Sequence, residues 1–142
     1  MNFTYLESET GLDDLVEQFE AGTWPLDRFK HTEHLAIAAC YVWDFGAGEA
    51  LDLMRDALKR YLAAVGIVSN EERGYHETLT VFWIHTVSRY VEPGMTRLDA
   101  ARTVIGRLGT RRDAWKAHWS YNLLTDAKSR LEWVPPDVEF RE

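Results

Sequence analysis

Leu79, Phe82, Trp83, Thr86, Val87 and Tyr90 recur at spacings of three and four through about seventeen residues with no turn signal. That period puts them on one stripe of an α-helix. The segment is rich in β-branched residues, which suit strands, but the uninterrupted run is longer than an ordinary strand. No segment of the chain alternates with period two. The sequence therefore predicts an all-α fold: one helical bundle over residues 1–142, with about five main helices and short C-terminal helical pieces.

Glycine and proline divide the chain into these helices. They are expected over about residues 11–21, 31–45, 49–65, 75–91 and 98–108, with shorter pieces over 112–119 and 125–131. Gly22 and Pro25 force a loop after the first, Gly46 and Gly48 separate the second from the third, and Pro93-Gly94 stops the fourth. Thr10-x-x-Asp13, Thr96-x-x-Asp99 and Thr110-x-x-Asp113 resemble capping boxes with Asp in place of Glu. Each sets a hydroxyl at the free N–H groups of a first turn and a carboxylate at the positive end of the helix dipole. The prolines at 135 and 136 exclude helix from the tail, where Trp133 is expected to anchor the C-terminal segment on the bundle.

A chain of 142 residues can bury a core without disulfides, and six tryptophans supply apolar bulk for it. The net charge of −7 argues against nucleic acid or an anionic membrane as partner. The longest apolar run, residues 35–43, is too short to span a bilayer. The acidic N-terminus lacks a signal-peptide pattern, so a cytoplasmic location is expected. The single cysteine, Cys40, falls within an apolar helix, where a packed thiol is the default. There is no Gly-rich phosphate loop, Gly-x-Ser-x-Gly elbow or dinucleotide fingerprint, hence no nucleotide or flavin motif.

The chemistry-bearing residues are histidines. His31 and His34 lie three apart, on the face continued by Leu35, Ala38 and Val42. His76 lies on the line of Leu79, Thr80 and Trp83. Two helices thus present imidazole at a first turn on a core-facing stripe. Burial and the helix dipole both disfavour imidazolium, so these rings should be neutral at pH 7. Neutral imidazole is the form that ligates metal. His31, His34 and His76 could hold zinc, iron or a similar divalent ion with one position open.

Glu77, about 100° around the helix from His76, would be a further ligand, a general base on bound water, or a partner of an imidazole. Glu33 has the same options but is expected to face water. Trp83 and Tyr75 are expected along the pocket. The opposing reading keeps all three histidines as satisfied core residues, bonded to backbone or to Glu33 and Glu77. His85 and His118 are weaker candidates. Arg107, Arg111, Arg112 and Lys116 read as a solvated basic face, with anion binding as the alternative. Asp126 and Arg130 could add polar groups to a pocket.

Phe29-x-His31-x-x-His34-Leu35, Tyr75-His76-Glu77-Thr78-x-Thr80, Tyr121 and the closing Trp133-x-Pro135-Pro136-Asp137 together resemble a group of small bacterial helical proteins, itself uncharacterised. That resemblance implies a helical fold and a site at the two histidine motifs, not a reaction. By fold alone the chain is also similar to bundles of the DinB/YfiT type, which bind metal through three histidines, although their His-x-x-x-His pair is missing here.

Two functions follow as expectations. The first is a divalent-metal-binding bundle, acting as a small enzyme on a small-molecule substrate, with Glu77 as the catalytic group. The second is a non-catalytic bundle that binds a small ligand or a partner, including a second copy of itself, with the histidines as structural anchors.

Overall fold

The computed structural model describes residues 4–138. Helices α1 (Glu9–Ala21), α2 (His31–Ala64), α3 (Glu77–Ser88), α4 (Arg97–Leu108) and α5 (Ala127–Leu131) are joined by loops and short 3₁₀ turns, and no strand occurs among the described residues. The fold is all-α, as the periodicity predicts.

The caps follow the expectation only in part. Thr96 caps α4, its hydroxyl accepting the Asp99 N–H at 3.0 Å. At α1 the cap is Ser8 rather than Thr10; its Oγ accepts the Gly11 N–H at 3.0 Å, so the helix begins earlier. No α-helix follows Thr110; a 3₁₀ turn at Ala114–Ala117 takes its place.

The two helices expected on either side of Gly46 run on as α2 with a single break. Gly46 has φ 81° and ψ 163°, which kinks the span without opening a loop. A Cβ there would meet open space, so the backbone angle alone calls for glycine.

Helix α2 packs chiefly against α3 and α4, and α1 closes the other side. Leu12, Leu15, Phe19, Ile37, Tyr61 and Val104 are among the buried side chains that fill this core. The Phe19 ring lies 5.4 Å from Phe29 and 5.2 Å from Tyr61, and Phe29 lies 4.6 Å from Tyr61. Arg97 pins the start of α4 to α1 through Glu9 and Asp13.

A smaller cluster of Trp115, Trp119 and Leu123 packs on Leu79 and Phe82 and carries the C-terminal segment. Trp133 is not its anchor: 43% of it is exposed, and its ring stands perpendicular to that of Trp119 at 6.1 Å. The segment is held by hydrogen bonds instead. Thr78 Oγ1 donates to Glu132 O at 2.8 Å and accepts the Val134 N–H at 3.0 Å, and Trp119 Nε1 donates to Val134 O at 3.1 Å. This clamp roofs the start of α3, where His76 lies. No helix among the described residues is long and apolar enough to cross a membrane.

Candidate functional site

The first turn of α2 is organised by Glu33. The carboxylate is buried, 5% exposed, so the expectation that it faces water is corrected. Its Oε1 accepts the Lys30 N–H at 2.7 Å, the reach-back of a capping box. Its Oε2 accepts from the Tyr5 hydroxyl at 2.6 Å and from Thr32 Oγ1 at 2.9 Å. The turn that carries His31 and His34 is thereby tied to the N-terminal segment.

His31 Nε2 lies 3.0 Å from Leu108 O, at the end of α4. A carbonyl only accepts, so Nε2 carries the proton and Nδ1 keeps the lone pair. The ring stands edge-on to Trp83 at 4.8 Å. His34 stands 4.1 Å from the Phe29 ring, and neither of its ring nitrogens bonds to a described residue.

His76 is not inside its helix but is the N-cap of α3. Its Nδ1 accepts the Leu79 N–H at 3.1 Å, and its Nε2 lies 2.7 Å from Leu123 O. Leu123 O requires the proton on Nε2, which leaves Nδ1 as the acceptor the cap needs. Both nitrogens are therefore committed to backbone, one within α3 and one to the C-terminal segment.

The three histidines do meet. His31, His34 and His76 line one cavity of about 670 Å³ between α2, α3 and the C-terminal segment. Its apolar wall includes Leu35, Met54, Leu58, Leu79, Trp83 and Trp115. Tyr75 also lines it, so both aromatics expected there are present. Lys30 and Arg112 stand exposed at its edge with Asp113, and Arg130 lies deeper. Arg112 thus contributes to the cavity as well as to a basic face, and Arg130, one of the polar groups weighed from sequence, is part of the wall.

Glu77 is elsewhere. It lines a neighbouring hollow of about 570 Å³ and not the histidine cavity. Arg55 grips its two oxygens at 2.8 and 2.7 Å, and the Tyr75 hydroxyl donates to Oε1 at 2.6 Å. Arg55 lies 22 residues from Glu77, on α2, so the pair ties α3 to α2.

A three-histidine metal centre needs a lone pair on each ring aimed at one point. His76 has none to offer in this arrangement, and Glu77 is turned to Arg55. No group of three or more His, Cys, Asp or Glu side chains that could hold a metal ion occurs among the described residues. His31 and His34 keep uncommitted nitrogens on the same turn.

Burial is the main cause that lowers the proton affinity of all three imidazoles. His34 is pulled from 6.5 to about 4, with the nearby His31 adding to the effect. For His31 the bond to Leu108 O opposes the shift, and for His76 the bond to Leu123 O does so. His118 is lowered by burial as well. The Arg55 guanidinium holds the Glu77 carboxyl below its ordinary 4.5. Burial drives the Cys40 thiol upward, and Cys40 is a packed, inert residue as expected.

These shifts predict acid lability. Between the ordinary value of 6.5 and the folded value, about 4 for His34, the unfolded chain binds more protons than the folded one. Stability is complete above that window and drains as pH falls through it, by at most about 1.4 kcal/mol per pH unit for each buried histidine. Glu77 adds a loss of the same sign below 4.5, because its folded carboxyl also resists protonation. Urea titrations at stepped pH between about 7 and 4 should show the midpoint falling steadily, and a flat profile would contradict the burial described.

Comparison of the chain with family models, with curated proteins and with solved structures finds no match.

Proposed function

We propose that this protein binds a small molecule in the histidine-lined cavity. The observation that carries the reading is His34, a half-buried imidazole with no partner for either ring nitrogen among the described residues, set in a largely apolar cavity. Its nitrogens are open to the cavity rather than sealed off, so a ligand there can take the place of water as their hydrogen-bond partner. The cavity volume lies in the range that receives a drug-sized molecule.

Proton affinity favours binding over acid–base catalysis. A general base works best with a pKa near the operating pH. His34, at about 4, is a weak base near neutrality. It serves better as a neutral hydrogen-bonding group that orients the ligand. His76 serves as a structural anchor, in line with the non-catalytic expectation.

Trp83 and Trp115 line the cavity and report on its contents. Titration with a panel of small apolar acids, amides and alcohols should quench tryptophan emission and raise Tm. Trp83→Phe should remove most of the quench, and His34→Leu should weaken binding about tenfold while leaving the protein folded. If no panel member alters emission or Tm, the reading fails.

One observation favours a second reading. His31 Nδ1 and the His34 nitrogens lie on one turn and are uncommitted, which is the donor state for zinc, iron or a similar ion. Elemental analysis of protein purified without chelator decides it: stoichiometric metal supports it, and no metal with none taken up rejects it.

A further inference from the structure

Arg130 is an unusual residue to leave inside a bundle. Its side chain sits on the short α5, and the residue is 8% exposed. Nη1 donates to Gly74 O at 3.0 Å and Nη2 donates to Leu124 O at 2.8 Å. Nε is buried with no partner. No carboxylate forms an ion pair with it among the described residues. Of the two nearest acids along the chain, Glu132 pairs with Lys128 at 3.9 Å, and Asp126 spends Oδ2 on the Ser129 N–H at 2.9 Å. The guanidinium therefore receives carbonyl dipoles but no counter-charge.

An isolated buried charge is costly, and proteins normally pair such groups. This one lines both the histidine cavity and the hollow beside it. The Gly74 backbone, at φ 84°, passes so close to Ser69 that a Cβ would lie 2.7 Å from its Cα. That packing holds the Gly74 carbonyl where it accepts from Arg130, so the guanidinium is fixed by backbone on both sides. Lys30 and Arg112 at the cavity edge outnumber Asp113. The cavity wall is thus positive in a chain whose net charge is −7.

We infer that the ligand of this cavity is an amphipathic monocarboxylate, its carboxylate beside Arg130 and its apolar body along Met54, Leu58 and Trp83. The inference rests on the cavity-binding reading above and gives it a substrate class. Arginine presents planar donors that match a carboxylate, and a buried guanidinium needs one negative charge. The carbonyls of Gly74 and Leu124 lie against the same guanidinium and disfavour a dianion such as a phosphate monoester. The alternative role for Arg130 is a plain staple between two loops. A staple does not discriminate between ligands by charge, and that difference is measurable.

The test is calorimetric titration of the full chain with matched pairs, 4-phenylbutyrate against 4-phenylbutyramide and octanoate against octanamide, with phenyl phosphate alongside. Each acid should bind about tenfold tighter than its amide. Arg130→Gln should bring the two within about twofold by weakening the acid alone, and Arg130→Lys should keep part of the preference. The wild-type ratio needs no variant, so it decides the ligand class even if Arg130→Gln does not fold. Arg112→Gln, at the exposed edge, should leave that ratio within about twofold if the carboxylate lies beside Arg130 and abolish it if it does not. Amide binding equal to acid binding leaves the cavity reading intact and overturns the monocarboxylate. Tighter binding of phenyl phosphate than of either acid also overturns it. Absence of binding by every probe overturns both.

Discussion

His76→Ala should lower the unfolding free energy by about 3 kcal/mol, far more than His34→Ala. Loss of a helix N-cap costs about 1 kcal/mol. The imidazole also donates to Leu123 O at 2.7 Å, a carbonyl that keeps the Asp126 N–H at 3.3 Å, and losing that bond together with the packing of the buried ring costs about 1–3 kcal/mol more. The damage should spread, because Leu123 belongs to the cluster that seats the C-terminal segment on α3. His76→Asn should recover part of the loss, since asparagine caps helices well but does not reach Leu123. His34 makes no hydrogen bond to a described residue, so its truncation costs packing alone, as against Phe29. Urea denaturation of the three variants gives the ranking. Equal losses for His76→Ala and His34→Ala would contradict the division of labour proposed for the two rings.

Glu33→Ala should cost a similar amount, about 3 kcal/mol, through the same turn that carries the site. Its carboxylate accepts three hydrogen bonds: from the Lys30 N–H, the Tyr5 hydroxyl and the Thr32 hydroxyl. Bonds to a charged acceptor contribute about 1.5–3 kcal/mol each when formed alone, and a shared acceptor gives less than their sum. Glu33→Gln keeps the shape and one acceptor oxygen, and should lose about half as much. The functional consequence is as informative as the stability. Loosening this turn should weaken ligand binding even though Glu33 does not line the cavity. Guanidinium denaturation with binding measured on the folded fraction separates the two effects. A stability loss below about 1 kcal/mol for Glu33→Ala would mean that the network contributes no more than an exposed pair.

What could be read from the chain alone divides along a physical line. Helix positions were legible because the three–four apolar period and the glycine breaks are local signals. The meeting of His31, His34 and His76 was legible for the same reason, since two first turns on core-facing stripes converge. Partner identity was not. Glu77 looks like a site residue beside His76, but its role is set by Arg55 on another helix, and no local spacing announces that pair. Glu33 is the same case, decided by Tyr5 at a separation of 28 residues. The apolar period places His76 in the first turn of a helix over about 75–91, whereas it caps α3 with a tautomer selected by Leu123 O, 47 residues away. Arg130 carries no motif at all. Its isolation becomes visible only when Gly74 and Leu124 stand around it without an acid.

Entry of a small molecule into the cavity between α2, α3 and the C-terminal segment can be read at the tryptophans. Of the six tryptophans, Trp83 and Trp115 line it, while Trp24, Trp43, Trp119 and Trp133 do not. Their indole N–H resonances are separable in a ¹⁵N-labelled sample. Titration with 4-phenylbutyrate should shift the Trp83 and Trp115 signals together, in a saturable way, and leave Trp43 and Trp133 in place. Shifts confined to the exposed Trp43 and Trp133, or no shift at saturation, would contradict ligand binding in this cavity.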